Sequence, residues 1–436
     1  MQVFDVVIVG ARCAGSPLAT LLARRGLSVC VLDKVQFPSE TPSTHIIQPR
    51  GAASLERIGA LDAVRAAGAA TIDSFTMVND DVRIEDEFDR SIFPQPGLCV
   101  RRVTLDSVLV DTATAAGADV RTGVKVTGLM RTGGRVTGVE TAHGPIGAQL
   151  VVGADGRHST VAKDTGAQEY SKTPMGRVPV WGYFEGVDNL EGRIRIARIG
   201  ENAYLASPTD GGLYMVCVAM GADCDTRRNE AFDAGIAGWP ELADLLAGAR
   251  RTGPLRVMAK WHGYFRQAAG PGWVLVGDAG HFKDFTPGQG ISDALCQAER
   301  LTDLLPAELA DAAAVDAATE RWWRWRDRDA YAMHWFATDL GAPGAPTPVI
   351  TEVLRDIAGD PAARRTLMRV LNHEAAPKRL LTPRRLAVAT GRALRRPRQR
   401  FATGAEIAGA VRNEIRRTRS VQRFATLATP GLRGVP

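Results

Sequence analysis

Three glycine-rich turns hold the residues of this chain whose types and spacing could do chemistry. The first reads Gly-Ala-Arg-Cys-Ala-Gly over residues 10–15 and is followed later by an acid. Such a turn brings backbone N–H groups and a helix N-terminus against a pyrophosphate, while the acid accepts hydrogen bonds from ribose hydroxyls. The residues predicted to form this dinucleotide cradle are Gly10, Arg12, Cys13, Ala14, Gly15, Asp33 and Lys34.

Two later turns also place acids directly after an apolar run. Residues 153–161 read GADGRHSTV, and residues 277–291 read GDAGHFKDFTPGQGI. Asp and Gly favour turns anywhere, so either segment alone would be unremarkable. Their occurrence together with the first turn, in this order, favours one binding site assembled from distant segments.

Strands and a helix must position these turns. Residues 4–9, FDVVIV, predict a strand buried on both faces, residues 16–25 a helix, and residues 27–32 a second parallel strand. Together they make a βαβ unit of the dinucleotide-binding type. Residues 148–152 and 272–276 predict the strands that lead into the second and third turns.

Arg12 departs from this pattern, because it occupies the position of the second glycine of GxGxxG. A missing side chain there normally lets the pyrophosphate approach. The Arg12 side chain could swing outward or pair with a phosphate, and the sequence leaves both alternatives open.

The three segments together resemble the FAD-dependent monooxygenases of the para-hydroxybenzoate hydroxylase class, which are related in fold to geranylgeranyl reductases and flavin halogenases. The resemblance covers about residues 1–300. It implies an α/β fold with a Rossmann-like FAD-binding domain, an interleaved antiparallel-sheet substrate domain and a C-terminal helical region.

The resemblance also implies roles for individual residues. Gly10 and Gly15 would hold the FAD pyrophosphate, with Asp33 at the adenosine ribose. An Arg-x-x-Leu step is expected between the first two motifs, and residues 102–105 fit it. The other residues implied to bind cofactor are Arg102, Asp155, Gly156 and Arg157, then Gly277 and Asp278 at the ribityl chain, and Gly288, Gln289, Gly290 and Ile291 at the isoalloxazine ring.

The third turn departs from the family pattern at the flavin face where substrate reacts. Phe285 replaces the usual proline, which is displaced to Pro287, and Ser292 replaces the usual asparagine. We therefore take Phe285 and Pro287 as catalytic candidates and expect a pocket unlike that of a simple phenol hydroxylase.

A turn-rich loop, residues 38–50, passes near the flavin in this fold. His45 is a third catalytic candidate, although a surface-loop histidine is more often inert. Gln48 is a pocket candidate. Arg50 opens a predicted helix over residues 51–67 and could be a helix cap or a phosphate contact.

Alternation of apolar and polar residues in 71–100 and 173–265 predicts antiparallel strands with one solvated face. The predicted domains follow from this pattern and the motifs. They are an FAD-binding domain of residues 1–70, 98–172 and 266–305, a substrate domain of 71–97 and 173–265, and a C-terminal helical region of 306–436 with a basic tail.

The implied reaction uses NADPH or NADH to reduce FAD, and O₂ then forms a hydroperoxyflavin that transfers one oxygen atom to an aromatic or polyketide-like small molecule. One alternative is an FAD-dependent reductase of an unsaturated prenyl or lipid substrate. Another is a flavoprotein that binds FAD without turnover.

Composition excludes several other classes. The chain has 436 residues and neither a long uninterrupted apolar run nor the start of a secretory signal, so a cytoplasmic location is expected. No metal site is predicted, because the cysteines are scattered without a CxxC pair. We expect them to be reduced thiols: Cys13, Cys30, Cys99, Cys217, Cys224 and Cys296.

The basic tail is the remaining feature. Residues 378–436 carry fifteen Lys or Arg against only Glu406 and Glu414, whereas residues 1–377 are net acidic. Ile407, Val411 and Ile415 fall on one helical face, and Arg412, Arg416, Arg419 and Arg423 fall on another. Docking of this helix on the acidic body is preferred over contact with an anionic membrane, and no nucleic-acid partner is expected. The oligomeric state is left open.

Overall fold

A computed structural model of the chain describes residues 1–188, 191–221 and 228–427, with side chains described as far as residue 418. Cys224 and the side chains of Arg419 and Arg423 therefore lie outside the described residues. In chain order the strands are β1 Gln2–Val9, β2 Val29–Asp33, β3 Ile46–Ile47, β4 Ala70–Ile72, β5 Ser74–Asn79, β6 Val82–Glu87, β7 Gly97–Cys99, β8 Asp119–Thr122, β9 Val126–Thr132, β10 Arg135–Thr141, β11 Ile146–Gly153, β12 Glu169–Thr173, β13 Val178–Glu185, β14 Arg193–Ile199, β15 Asn202–Pro208, β16 Tyr214–Met220, β17 Arg250–Val257, β18 Gly263–Arg266, β19 Ala269–Gly270, β20 Trp273–Leu275 and β21 His281–Phe282. The α-helices are α1 Gly15–Arg24, α2 Pro49–Ile58, α3 Leu61–Ala66, α4 Arg102–Ala115, α5 Thr160–Asp164, α6 Arg228–Ala237, α7 Pro240–Leu245, α8 Gly290–Leu304, α9 Ala312–Gly341, α10 Pro348–Ala358, α11 Pro361–Leu371, α12 Pro383–Leu394 and α13 Arg400–Leu427.

A sheet with parallel strands in the order β20-β11-β1-β2-β8 brings the three glycine turns together. Its register pairs Val9, the last residue of β1, with Gly153 at the end of β11, and Gly153 with Leu275 at the end of β20. Because the strands are parallel and end at one level, the turns that follow them meet at one edge of the sheet. Ligands of open α/β sheets bind at this carboxyl edge.

Helices α1 and α8 pack against each other beside this sheet, and α9 packs on α8. Trp322 and Trp323 of α9 are buried in the same apolar core as the parallel strands. These two tryptophans therefore pack α9 against the parallel sheet.

The second large sheet has seven strands in the order β17-β13-β16-β15-β14-β5-β6. It is antiparallel except for β5 and β14, which pair in parallel. The predicted solvated face holds for β6, whose first four residues alternate between buried and exposed, but it is wrong for β16, in which every residue is buried. Phe232 and Trp239 of the α6–α7 segment cover one face, and helices α10 and α11 contribute to the core on the other.

One helical prediction needed correction. The helix predicted over residues 51–67 is two helices, α2 and α3, because Gly59 adopts a left-handed φ of 75° and ends the first. The tail helix α13 contacts the body, as the preferred alternative had it, and its polar residues make the contact. Ile407, Val411 and Ile415 are exposed, and Glu406 and Arg417 make the contacts instead.

None of the described helices is both long and apolar enough to cross a bilayer. Among the described residues there is also no group of three or more His, Cys, Asp or Glu side chains that could hold a metal ion.

Candidate active site

One cavity of about 540 Å³ opens where the three turns meet, within the size range of ligand sites. Residues of all three turns line it, as do the side chains of β13 and of the segment that follows β17. The predicted site residues that line this cavity are Gly10, Arg12, Cys13, Ala14, Asp33, Lys34, Arg102, Asp155, Gly156, Arg157, Gly277, Asp278, Phe285, Gly290 and Ile291.

The first turn is held by Asp33. Its Oδ2 accepts a hydrogen bond of 2.8 Å from the Ala11 N–H, and its Oδ1 accepts one of 2.9 Å from the Val35 N–H. Helix α1 starts at once behind the turn with neither a side-chain cap nor an acid in its first turn. The Ser16 N–H already donates to the Arg12 carbonyl oxygen, so it is the positive dipole end of this helix that remains available for an anion.

Arg12 turns away from the backbone of the first turn. Its guanidinium donates to Asp106 Oδ2 at 2.6 Å and to Ser39 Oγ at 2.6 Å, and it lies over the ring of Phe37. The outward alternative therefore holds in this structure, although the side chain still borders the cavity.

Asp106 is a functional residue that the sequence reasoning missed. Its buried carboxylate also accepts two hydrogen bonds from Arg102, at 2.9 and 3.0 Å. Burial alone would lower the pKa of Arg102, but Asp106 holds it above its ordinary value. One carboxylate thus fixes two cavity-lining guanidiniums and leaves one positive charge in excess, which suits a pyrophosphate.

The second turn presents an acceptor without a donor. Asp155 Oδ2 accepts from the Thr160 N–H at 2.6 Å, whereas its Oδ1 is buried and has no hydrogen-bond partner within the described residues. Burial raises the pKa of this carboxyl. Arg157 lies beside it over the Phe282 ring, at 5.2 Å from the centroid. A buried unpaired oxygen is costly, so this position fits a ligand that brings a hydroxyl donor.

The third turn packs directly on the first. A Cβ at Gly277 would lie 3.0 Å from Ala14 Cβ, and the Gly277 N–H donates to Gln297 Oε1 at 2.8 Å. Tyr264 donates its hydroxyl hydrogen to the Asp278 carbonyl at 2.6 Å. The Asp278 carboxylate is left pointing at the solvent-filled cavity, where it can accept further hydrogen bonds.

Helix α8 begins at the cavity with Gly290, and no atom of the described residues packs where a side chain at Gly290 would lie. A Cβ at Gly290 would meet nothing within 4 Å. The preceding Gln289 directs its side chain away from the cavity, where its Nε2 donates to the carbonyl oxygens of Val370 and Leu371 at 3.2 and 2.8 Å. The C-terminal region thus braces the turn that precedes α8.

A buried charge network behind this turn was also missed. Lys283 Nζ donates to Gln289 Oε1 at 2.7 Å and to Asp293 Oδ2 at 2.6 Å. His373 lies 2.9 Å from the other oxygen of Asp293. Burial raises the pKa of Asp293, but Lys283 and His373 outweigh this effect and hold it well below its usual value. The Lys and Asp lie in the motif region, but no local pattern indicates their partner in the C-terminal region.

An apolar wall closes the opposite side of the cavity. Trp181, Met258, Phe282 and Phe285 line it, and the rings of Trp181 and Phe285 meet edge to face with centroids 6.3 Å apart. The buried indole N–H of Trp181 has no acceptor in the described part of the chain.

A second, much smaller cavity of about 20 Å³ lies across the third turn. Pro287 and Gly288 line it together with Gln48, whereas Gly290 and Ile291 line the large cavity. Its remaining walls come from apolar side chains of β3, β4, the seven-stranded sheet, the residue after β6, and α11. They are Ile46, Ile47, Ile72, Phe75, Phe88, Ile194, Ile196, Leu205, Met368 and Leu371.

Besides Gln289, three expected site residues line neither cavity. His45 is fully buried with its Nε2 2.6 Å from the Tyr183 hydroxyl, and burial lowers its pKa to about 3. Arg50 donates to Cys296 Sγ and to the His373 carbonyl, so its guanidinium is not available as the expected phosphate contact. Gly15 closes the first turn from behind, because a Cβ there would lie 1.8 Å from the Gly10 carbonyl oxygen.

A parallel sheet whose glycine turns, acids and free helix N-terminus converge on one cavity defines a dinucleotide-binding protein, and the interleaved second sheet is that of the flavin-dependent oxidoreductases. The chain belongs to the FAD binding domain family, whose model matches residues 3–321. It is therefore an FAD-dependent oxidoreductase of the monooxygenase class, as the sequence resemblance implied.

Individual relatives are named for different activities. The 6-methylpretetramide 4-monooxygenase of Streptomyces rimosus is 30% identical over 323 residues, covering 67% of this chain and 72% of the relative. Digeranylgeranylglycerophospholipid reductase 1 of Methanococcoides burtonii is 32% identical over 306 residues, covering 67% and 72%. A flavoprotein/dehydrogenase from Cytophaga hutchinsonii shares the fold with a TM-score of 0.72 at 21% identity, covering 86% of this chain and 95% of that one.

Proposed function

We propose that this chain uses NAD(P)H and O₂ to insert one oxygen atom into an aromatic or polyketide-like small molecule. The observation that carries the proposal is the apolar wall with its unpartnered Trp181 N–H, which shares the cavity of the three FAD turns. The relative from Streptomyces rimosus, a monooxygenase by name, supports the same reaction class.

The residues present fit FAD, and the cofactor when bound supplies the redox chemistry that side chains lack. Arg102 and the free N-terminus of α1 would hold the pyrophosphate, with Asp33 at the adenosine ribose. Asp155 and Asp278 would accept hydrogen bonds from cofactor hydroxyls. The N–H groups of Gly290 and Ile291 would face the flavin ring.

The remaining cavity residues would position substrate and exclude water. The rings of Trp181 and Phe285 offer an apolar surface to an aromatic substrate, and the Trp181 indole N–H would donate to a carbonyl or phenol oxygen on it. Such a contact would satisfy a donor that the protein itself leaves unpaired.

Asp284 would carry an ionisable proton beside the apolar wall. It lines the cavity next to Phe285, its buried carboxyl packs against Gly341, and its Oδ1 accepts hydrogen bonds from the Thr286 N–H and hydroxyl. Burial raises the pKa of Asp284 to about 6, so both protonation states are accessible near neutral pH.

The test is turnover with a panel of polyketide-like phenols under ¹⁸O₂. We expect one ¹⁸O atom in the product and one O₂ consumed per NAD(P)H and substrate. Trp181→Phe keeps the ring and removes the donor, so its KM should rise about tenfold, the value of one lost hydrogen bond of ~1.4 kcal/mol, with bound FAD unchanged. Product without ¹⁸O would refute oxygen insertion, and an unaltered KM would refute the role of the indole.

A second candidate is a reductase of an unsaturated prenyl or lipid substrate. The relative from Methanococcoides burtonii, which is such a reductase by name, favours it. Anaerobic turnover that adds two hydrogens to the substrate would identify this activity. If NAD(P)H does not reduce the bound flavin in the presence of either substrate class, the result would instead indicate FAD binding without turnover.

A further inference from the structure

Exposed apolar side chains are concentrated at the C-terminal end of this molecule. Among the described residues, the large apolar side chains that are exposed all lie within residues 388–415 except for Met1 and Val3. In α13 they are Phe401, Ile407, Val411 and Ile415, which are 91%, 41%, 55% and 49% exposed.

Three of these α13 residues form one stripe along the helix. Ile407, Val411 and Ile415 are spaced four residues apart and share one helical face, and Phe401 lies about 120° round the helix from Ile407, at the N-terminal end of α13. We call Ile407, Val411 and Ile415 the exposed stripe. The neighbouring helix α12 adds Val388 and Leu394 to the exposed apolar surface, at 44% and 41%.

The opposite side of the tail is the side that docks. Arg417 pairs with Asp339 and lies over the Trp335 ring, and Glu406 accepts hydrogen bonds from the N-terminus of α10. In α12, Arg385 pairs with Asp356 at 2.8 Å. These contacts hold the helices in place, so the exposed stripe is presented outward on an anchored element.

The charges near the exposed stripe are mostly positive, since Glu414, which lies 3.6 Å from Arg417, is the acid beside it in the described part of the tail. Arg412 and Arg416 each follow a stripe residue in sequence, and neither has a carboxylate within 4.0 Å in the described residues. The same holds for Arg384, Arg395 and Arg398 around α12. An apolar helix face flanked by arginines that snorkel outward is the composition of helices that lie in the interface of an anionic bilayer.

From this juxtaposition we propose that α12 and α13 bind the surface of an anionic lipid membrane, with the exposed stripe inserted among the lipid chains and the unpaired arginines at the headgroups. A second copy of the chain fits less well, because it would bring the same unpaired arginines together. A nucleic acid would match the charge but would leave the apolar stripe without a role.

The test uses the full FAD-loaded protein and co-sedimentation with vesicles. Vesicles of 70% phosphatidylcholine and 30% phosphatidylglycerol should bind it, whereas pure phosphatidylcholine should bind it at least tenfold more weakly. The triple variant Ile407→Ser, Val411→Ser, Ile415→Ser changes only exposed side chains and should lose at least tenfold in binding with unchanged thermal stability.

A matched pair of charge variants distinguishes binding through the tail arginines from binding through the overall positive charge of the protein. Arg412→Gln with Arg416→Gln should weaken binding several-fold, while Arg321→Gln with Arg328→Gln, which removes two exposed arginines of α9, should not. The proposal is overturned if the serine variant binds as wild type, if both arginine pairs act alike, or if the serine variant converts a dimer to a monomer.

Discussion

Substituting Gly10 by alanine tests the backbone geometry from which the whole site is built. Gly10 has a φ of 105°, which L side chains rarely adopt, and an added Cβ would lie 2.4 Å from the Ala154 carbonyl oxygen and 2.9 Å from the Asp155 N. These are backbone atoms at the end of β11, so they cannot rotate away. Relief requires β1 and β11 to move apart where the first and second turns meet.

Gly156 provides the matched control. Its φ of 76° is also positive, but an added Cβ would meet nothing within 4 Å. Both substitutions cost about 1–2 kcal/mol for the backbone conformation. Gly10→Ala costs about 1–3 kcal/mol more for the forced shift. We therefore expect a total loss of about 2–5 kcal/mol for Gly10→Ala and about 1–2 kcal/mol for Gly156→Ala.

Urea unfolding of the FAD-free proteins measures this difference, and FAD titration measures its effect on the site. Gly10→Ala should weaken FAD binding at least tenfold, about 1.4 kcal/mol, because the shift displaces the N–H groups of the first turn. Equal urea midpoints for the two variants, together with wild-type FAD affinity in Gly10→Ala, would refute the close approach of the two turns.

Two further substitutions test groups outside the glycine turns. Asp284 has its pKa raised to about 6 from 3.8 by burial, so its neutral form adds stability at low pH that is lost as the pH rises through 6. The side chain introduced by Asp284→Asn cannot ionise. The free energy of unfolding of this variant in urea should therefore equal that of wild type at pH 4 and exceed it by about 2–3 kcal/mol at pH 8; a difference in unfolding free energy that does not change with pH would contradict this. Glu406 accepts hydrogen bonds of 2.6 and 2.7 Å from the Thr347 hydroxyl and the Val349 N–H, so Glu406→Ala should cost about 1–2 kcal/mol in the same assay. Glu414→Ala is the control, because the Glu414 side chain is 71% exposed and lies 3.6 Å from Arg417. It should cost near zero, and equal losses of unfolding free energy for Glu406→Ala and Glu414→Ala would argue against Glu406 as the cap of α10.

The convergence of the three turns could be predicted because each depends on local sequence. An apolar run followed by Gly and Asp specifies a buried strand and a turn, and parallel pairing then brings the strand ends together. The seven-stranded sheet was harder to predict, because alternation indicates strands but not what covers them. The helices that bury β16 are separate elements with no pattern in the strand itself.

Contacts between residues far apart in sequence account for the corrections. Gln289 bonds to the carbonyls of residues 370 and 371, and Arg50 bonds to residues 296 and 373. In the tail, the sequence predicted an amphipathic helix and its docking on the body but did not specify which face docks. The polar face docks because Glu406 finds the free N–H groups of α10, and nothing in the local sequence indicates that partner.

Arg12 shows how a departure from a motif can be offset elsewhere in the fold. A side chain in place of the second glycine threatens the approach of a pyrophosphate, yet Asp106 and Ser39 draw the guanidinium off the turn. Asp106 holds Arg102 at the same time, so two guanidiniums share one carboxylate beside the uncapped start of α1. The net positive charge of this cluster would attract a phosphate group. A glycine in place of Arg12 would only leave room for it. The two alternatives left open by the sequence are thus compatible, because an arginine turned outward still contributes its charge to the cavity that it borders.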